Sequence, residues 1–354
     1  MNEDSKRDGR VRTYRALVLA CAVLTLIVVV VGAYVRLSDA GLGCPDWPGC
    51  YGKITPANAE SQIRRAVEEQ GGTHGPVSMP KAWKEMGHRY LAGVLGLLIL
   101  AVAFLAWMRR GTLRQSPWLA GAIVIVVAIQ ATLGKWTVTM LLKPAIVTAH
   151  LIGGMTTLAL LAWLAMRQWP LRTGADSARV RSLHGLALVS LVVLCMQIVL
   201  GGWVSTNYAA LACPDLPLCR GAVVPSMDFA NAFHVVRELG MTPQGALLSA
   251  DALVAIHWTH RMFALLVVGV LGTLAARLIV TSGTRALGMA LVAVLAAQFT
   301  LGLANVALSL PLALAAAHNA GAALLLVLLV VINYVTFHGL ALSHGAAPLS
   351  DPIT

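Results

Sequence analysis

Charge is what this sequence has least of: 12% of its 354 residues are Asp, Glu, Lys or Arg, about half the ~25% usual in soluble domains. Acids are the scarcer sign, 15 against 26 Lys and Arg, and aromatics make up 6%. With 58% hydrophobic residues and a mean hydropathy of +0.77, a soluble enzyme is excluded. The formal charge of +11 would raise the question of nucleic acid, but no stripe of basic residues interleaved with aromatics is present, which excludes that partner. A small-residue cleavage site is also missing after the first apolar run. Arg36 and Asp39 follow it instead, so the run reads as a retained helix rather than a signal peptide.

What the sequence does have is apolar stretches of the length a bilayer requires, about 20 residues. Eight can be read: Ala16 to Val35, His88 to Met108, Pro117 to Val138, Ile146 to Met166, Leu183 to Ser205, Leu253 to Ala276, Ala286 to Ser309 and Leu312 to Thr336. With the N-terminus in the cytoplasm, the inner side holds 14 basic residues and five acids, the outer side 12 basic and ten acids. The positive-inside rule then predicts both termini in the cytoplasm of a multi-pass protein of the inner membrane, surrounded by lipid. Two long loops, roughly Arg36 to Gly87 and Thr206 to Ala252, fall outside.

Each loop carries two cysteines with five residues between them, in Cys44-Pro-Asp-Trp-Pro-Gly-Cys50 and Cys213-Pro-Asp-Leu-Pro-Leu-Cys219. The match exposes an internal repeat. An offset of 169 relates the Cys pairs and Gly32 to Gly201, 172 relates His88-Arg89 to His260-Arg261, and 168 relates His150 to His318. The expected fold is an all-α membrane protein, its eight transmembrane helices forming two tandem four-helix bundles in a parallel pseudo-twofold repeat. Its segments are a cytoplasmic tail over 1–15, a first half over 16–170, a second over 183–340 and a cytoplasmic tail over 341–354. Units of an even number of helices share one orientation, which speaks against an inverted-repeat transporter.

Ionisable groups within membrane helices are functional candidates by default. His88, His150, His260 and His318 recur at repeat-related places, at similar depth near the outer side. Two imidazoles facing across a bundle supply the two axial positions of a haem iron. Zinc would require about four N, S or O ligands, and neither half has such an intramembrane set. A single histidine of this kind would more simply be a group that hydrogen-bonds helices together; four in register point to haem.

Gly93, Gly96, Gly153, Gly154, Gly269 and Gly272 beside these histidines leave room for a flat guest. A Gln-x-x-Leu-Gly pattern at Gln130, Gln197 and Gln298 puts an amide and a glycine on one face, although small residues also serve close helix packing. Arg89 and Arg261, each next to a candidate ligand, suit propionate carboxylates or the anchoring of their helices at the interface.

Three residues before His88 stands Glu85; its counterpart before His260 is His257. Only the first half thus offers a carboxylate one helical turn from its proposed iron ligand, able to move protons or to steady developing charge. This makes the first half the reaction site and the second an electron-carrying cofactor site. The plain alternative for Glu85 is the start of a helix, where the dipole favours an acid. Cys21 and Cys195 read as small core residues. The four loop cysteines face an oxidising compartment and allow three connectivities, of which Cys44–Cys50 with Cys213–Cys219 is the most economical under the repeat.

The duplicated bundle, Glu85-Met-Gly-His88-Arg89, His260-Arg261-Met262, His150, His318 and the Cys44-Pro-Asp-Trp-Pro segment together resemble the haem A synthase family, over about residues 15 to 340. The resemblance implies an oxidoreductase that converts the C8 methyl group of haem O to a formyl group by two hydroxylations and loss of water, giving haem A. It implies that His88 and His150 hold the substrate haem, that Glu85 is the functional glutamate, that His260 and His318 ligate the iron of a haem b relay, and that Cys44 and Cys50 form an outer-loop disulfide. A haem O synthase as donor and terminal-oxidase assembly as destination follow as implied partners, with a homo-oligomer left open. The rival reading is a two-haem b-type membrane cytochrome passing electrons between a quinol and an outer acceptor. It explains the four histidines and leaves Glu85 without a purpose.

Overall fold

The computed structural model describes residues 3–113, 115–168, 172–173 and 177–341. Arg114, Asp176 and residues 342–354 of the expected C-terminal tail lie outside the described residues. Eight long helices carry the fold: α1 (Glu3–Leu37), α2 (Met79–Met108), α3 (Trp118–Thr139), α4 (Pro144–Met166), α5 (His184–Thr206), α6 (Ala250–Val280), α7 (Arg285–Ala307) and α8 (Leu312–His338). All eight are long and apolar enough to cross a bilayer, and the chain is a multi-pass membrane protein.

Most helix limits fall within a few residues of the apolar runs, but the starts of α1 and α2 do not. Helix α1 begins at Glu3, so the expected tail over 1–15 is largely its first turns; no proline interrupts that stretch, and its Lys and Arg residues are good helix formers. Helix α2 begins nine residues before His88, where the Ser78 side chain accepts from the Lys81 N–H and Pro80 occupies the first turn. Helix α6 begins at a similar serine, Ser249, which accepts from the Ala252 N–H at 3.1 Å. Capping chemistry, not hydropathy, sets these starts, and α2 therefore includes Glu85.

The helix pairings recur in the two halves. Helices α1 to α4 pack in sequence and close through α1 against α4; α5 to α8 do the same, closing through α5 against α8. The halves meet where α1 and α4 face α8 and where α4 faces α5. Helix α8 lies at the centre: 56% of its most apolar window is buried, against 11–33% for the others. Its Asn333 donates to the Ala187 carbonyl of α5 at 3.0 Å, the polar cross-link expected where no hydrophobic force drives helices together. At the rim that carries the long loops Arg36 donates to the Ser205 carbonyl at 2.8 Å and the Tyr208 hydroxyl to Asp39 at 3.0 Å, tying α1 to the end of α5.

The backbone repeats as the sequence does. Leu141 and Leu142 in the turn between α3 and α4 have φ of 51° and 58°, and Ser309 and Leu310 between α7 and α8 have 57° and 64°. Outward faces are apolar, with Leu97 69%, Phe104 65% and Ile125 63% exposed, as suits a lipid solvent. Cys21 is buried as expected, but Cys195 is exposed; it points away from the bundle, which corrects its reading as a core residue. The only strands among the described residues are Arg172–Thr173 and Leu340–Ala341, paired antiparallel.

Candidate functional site

Both halves build the same local structure at the end that carries their long loops. In the first loop Cys44 and Cys50 form a disulfide with Cα atoms 4.8 Å apart; in the second Cys213 and Cys219 do so at 4.6 Å. An aspartate shapes each loop. Asp46 accepts from the Tyr51 and Gly52 N–H groups, and Asp215 from those of Arg220 and Gly221. The two backbone donors, Gly221 first, hold the Asp215 carboxyl below its ordinary value. These aspartates went unassigned in the sequence, where their only signal was their shared place two residues after a cysteine.

Each loop is fastened to a helix by the arginine that follows a candidate ligand. Arg89 Nη1 donates to the carbonyls of Asp46 at 2.7 Å and Gly49 at 2.6 Å, and its Nη2 pairs with Glu85. Arg261 donates through Nη1 to Asp215 and Leu218 at 2.9 and 3.0 Å and through Nη2 to Cys213 at 2.6 Å. The guanidinium groups expected to reach for propionates are thus turned toward loop carbonyls.

Glu85 is 4% exposed, and its Oε2 accepts from the Cys44 N–H at 2.9 Å. His257 occupies the same place in the second half, where the Cys213 N–H points at its Nδ1 and Arg261 Nε at its Nε2, both at 3.2 Å. A carboxylate accepts from both donors at once. A neutral imidazole has one acceptor nitrogen and one N–H, so only one of the two approaches to His257 is a hydrogen bond at any moment.

Deeper in each bundle the four repeated histidines come together in pairs. His88 on α2 and His150 on α4 are close enough to interact electrostatically, as are His260 on α6 and His318 on α8. Every one of the four rings rests against a glycine of a neighbouring helix. A Cβ placed on Gly32 would lie 2.9 Å from His88 Cε1, and on Gly134, Gly201 or Gly302 it would lie 3.1 Å from Cε1 of His150, His260 or His318. Any other residue would displace the ring. The sequence pattern caught three of these glycines; Gly32 was visible only as the repeat partner of Gly201, because Val28 stands where the other helices have glutamine.

Gln130 Nε2 donates to the His150 carbonyl at 2.6 Å and Gln197 Nε2 to that of His260 at 3.1 Å. Gly93, Gly96, Gly269 and Gly272 have no atom within 4 Å of an added Cβ, so close helix approach does not account for them.

These sites also hold most of the unsatisfied polarity. Of twelve buried side-chain nitrogen and oxygen atoms without a hydrogen bond among the described residues, seven are the Nδ1 atoms of the four histidines and the Oε1 atoms of Gln130, Gln197 and Gln298. Buried polar groups are normally paired, so such a concentration makes these the candidate sites of the molecule. Among the described residues no three His, Cys, Asp or Glu side chains converge on a common point. Two imidazoles from different helices, held edge-on by glycine, fit the axial positions of a haem.

Known proteins resemble this chain over most of its length. The profile of a family described as cytochrome oxidase assembly protein, COX15-CtaA, matches residues 15–330. A haem A synthase of Shewanella oneidensis is 45% identical over 316 residues, 89% of this chain and 94% of that protein. Haem A synthases of Caulobacter sp. K31 and Sphingopyxis alaskensis are 27% and 29% identical, over 90% and 86% of this chain and 95% and 87% of theirs.

Proposed function

The chain belongs to the COX15-CtaA family of cytochrome oxidase assembly proteins, and from that membership we propose that it is a haem A synthase, oxidising the C8 methyl group of haem O to the formyl group of haem A. The observation that carries the reading is the fourfold packing of histidine against glycine, paired within each half and joined by a carboxylate in one half only. The first half takes haem O as substrate between His88 and His150. The second holds a resident haem b between His260 and His318, which supplies one-electron transfer when bound. Both termini face the cytoplasm, and the product passes to terminal-oxidase assembly.

In this reading Gly32 and Gly134 fix the planes of the two substrate-side imidazoles, so that the porphyrin is held in one orientation. Two successive hydroxylations, each a two-electron oxidation that draws on an external oxidant, take the methyl carbon to a geminal diol, which loses water to leave the aldehyde. Glu85, one helical turn from His88, is the group in the first half suited to carry protons away from that carbon. Its bonds to Cys44 and Arg89 hold it in place and couple it to the disulfide loop. Truncation to alanine would leave the buried Cys44 N–H without its acceptor, a loss of about 1–3 kcal/mol, so Glu85→Gln, which keeps the volume and an acceptor oxygen, is the cleaner variant.

The test is a pyridine haemochrome spectrum with chromatography of the extracted haems, on protein co-expressed with a haem O synthase. We expect haem b with haem O or haem A in the wild type. In Glu85→Gln we expect both sites to stay filled while haem A falls about 100-fold. A protein that holds haem b alone and changes no haem would be the quinol-linked cytochrome instead.

A further inference from the structure

The outer end of the first half opens sideways, between α1 and α2, in a groove of about 550 Å3 with His88 in its wall, well within the ~300–1,000 Å3 of small-molecule sites. Tyr34, Trp83 and Tyr90 along it are 37%, 43% and 37% exposed. Gly87 also lines it, and a Cβ there would meet nothing within 4 Å. The repeat-related surface of the second half is closed. Trp203 stands in place of Tyr34 and donates from its indole to the Ala232 carbonyl of the second outer loop at 2.9 Å. Ala255 and Ile256, in place of Trp83 and Lys84, are 0% and 1% exposed beneath that loop.

The one cation in the groove has no counterpart either. Lys84 Nζ sits 5.1 Å from the Tyr34 ring centroid and has no carboxylate within ion-pair distance among the described residues.

We propose that this groove is the lateral portal through which an isoprenoid-tailed porphyrin dicarboxylate enters the first half from the membrane and leaves it again, with Lys84 guiding a propionate at the mouth. The inference rests on the haem O reading of the His88 and His150 site and adds a route to it. An amphiphile dissolved in the bilayer has its tail in hydrocarbon and its carboxylates at the interface. An apolar cleft facing lipid, with an unpaired ammonium at its outer end, matches both ends of that molecule. It also explains why only one half is open: a substrate has to exchange, whereas a resident cofactor is retained under a packed loop.

The experiment follows haem O moving from lipid nanodiscs into holoprotein that already carries haem b, by Soret difference spectra and extracted-haem chromatography. Gly87→Trp fills the groove from a position where an added Cβ meets no other atom within 4 Å. We expect haem O uptake and release to slow together, by about tenfold, with final occupancy and haem b content unchanged. Lys84→Gln should slow uptake about threefold, with Lys84→Arg restoring it. Ile125→Trp, a similar enlargement on the exposed face of α3, should behave as wild type. If Gly87→Trp lowers haem b, Gly87→Leu replaces it as the blocking variant.

Wild-type rates in the blocking variant would overturn the portal and leave the groove to lipid chains. Lower occupancy through faster release, with uptake unchanged, would overturn it too, placing Gly87 in the wall of the binding site. A wild-type protein that takes up no haem O would overturn the function itself, and the portal with it.

Discussion

The two halves of this molecule share a backbone plan down to the left-handed residues of their turns, yet they differ in two places. One has a carboxylate at Glu85, where the other has His257; one has an open groove beside its first histidine, where the other is covered by its loop. A duplicated scaffold has kept its ligand geometry and diverged in what surrounds it. On the proposed reading, imidazole pairs and their glycine supports serve haem binding in both halves, while proton handling and exchange with the membrane belong to one copy.

The strongest way to break the comparison is to remove a ligand from each half in turn. His260→Ala should empty the second half of haem b and reduce haem A formation by more than about 100-fold, leaving the first half able to take up haem O. His88→Ala should do the reverse, keeping haem b while losing haem O. Extracted-haem chromatography reads both, and loss of both haems in either variant would mean that the halves are not separate sites.

A smaller effect is expected where the ring is moved rather than removed. Gly302→Val and Gly134→Val push a side chain into the His318 or His150 imidazole, and each should weaken haem occupancy of its own half about tenfold. Equal losses in the two halves would show that the glycines are scaffold. A much larger loss in the first would show that the substrate site tolerates less displacement than the cofactor site.

The smallest change sharpens the carboxylate difference. His257→Glu gives the Cys213 N–H and Arg261 Nε an acceptor each, as Glu85 does for its own loop. Satisfying the second donor is worth about 1 kcal/mol, so Tm should rise by about 2–4 °C with haem b unchanged. A lower Tm would show that the imidazole is better accommodated there than its two donors suggest.

Much of this was legible in the residues. Eight helices follow from eight apolar runs because a bilayer leaves a chain no other way to satisfy its backbone. Both disulfides connect the cysteines that the repeat pairs most economically. Helix starts were less legible, since Ser78 and Ser249 end their loops by capping, several residues before the hydropathy rises. Arg89 and Arg261 were placed correctly beside the histidines, but their partners were not foreseen, because loop carbonyls have no signature in a sequence. Cys195 was misread because a small apolar residue has the same periodicity whether it faces a helix or lipid.

The sequence by itself determined the number of helices, the duplication, the pairing of His88 with His150 and of His260 with His318 by register, and the asymmetry of Glu85 with His257. These depend on local composition and on spacing along one chain. Tertiary structure alone decided that each imidazole lies against a glycine of another helix, that the arginines hold the disulfide loops, and that Trp203 is locked under its loop while Tyr34 borders an open groove. Those outcomes depend on which surfaces meet across the bundle, and close packing between helices is a property of neighbours in space that no single segment encodes.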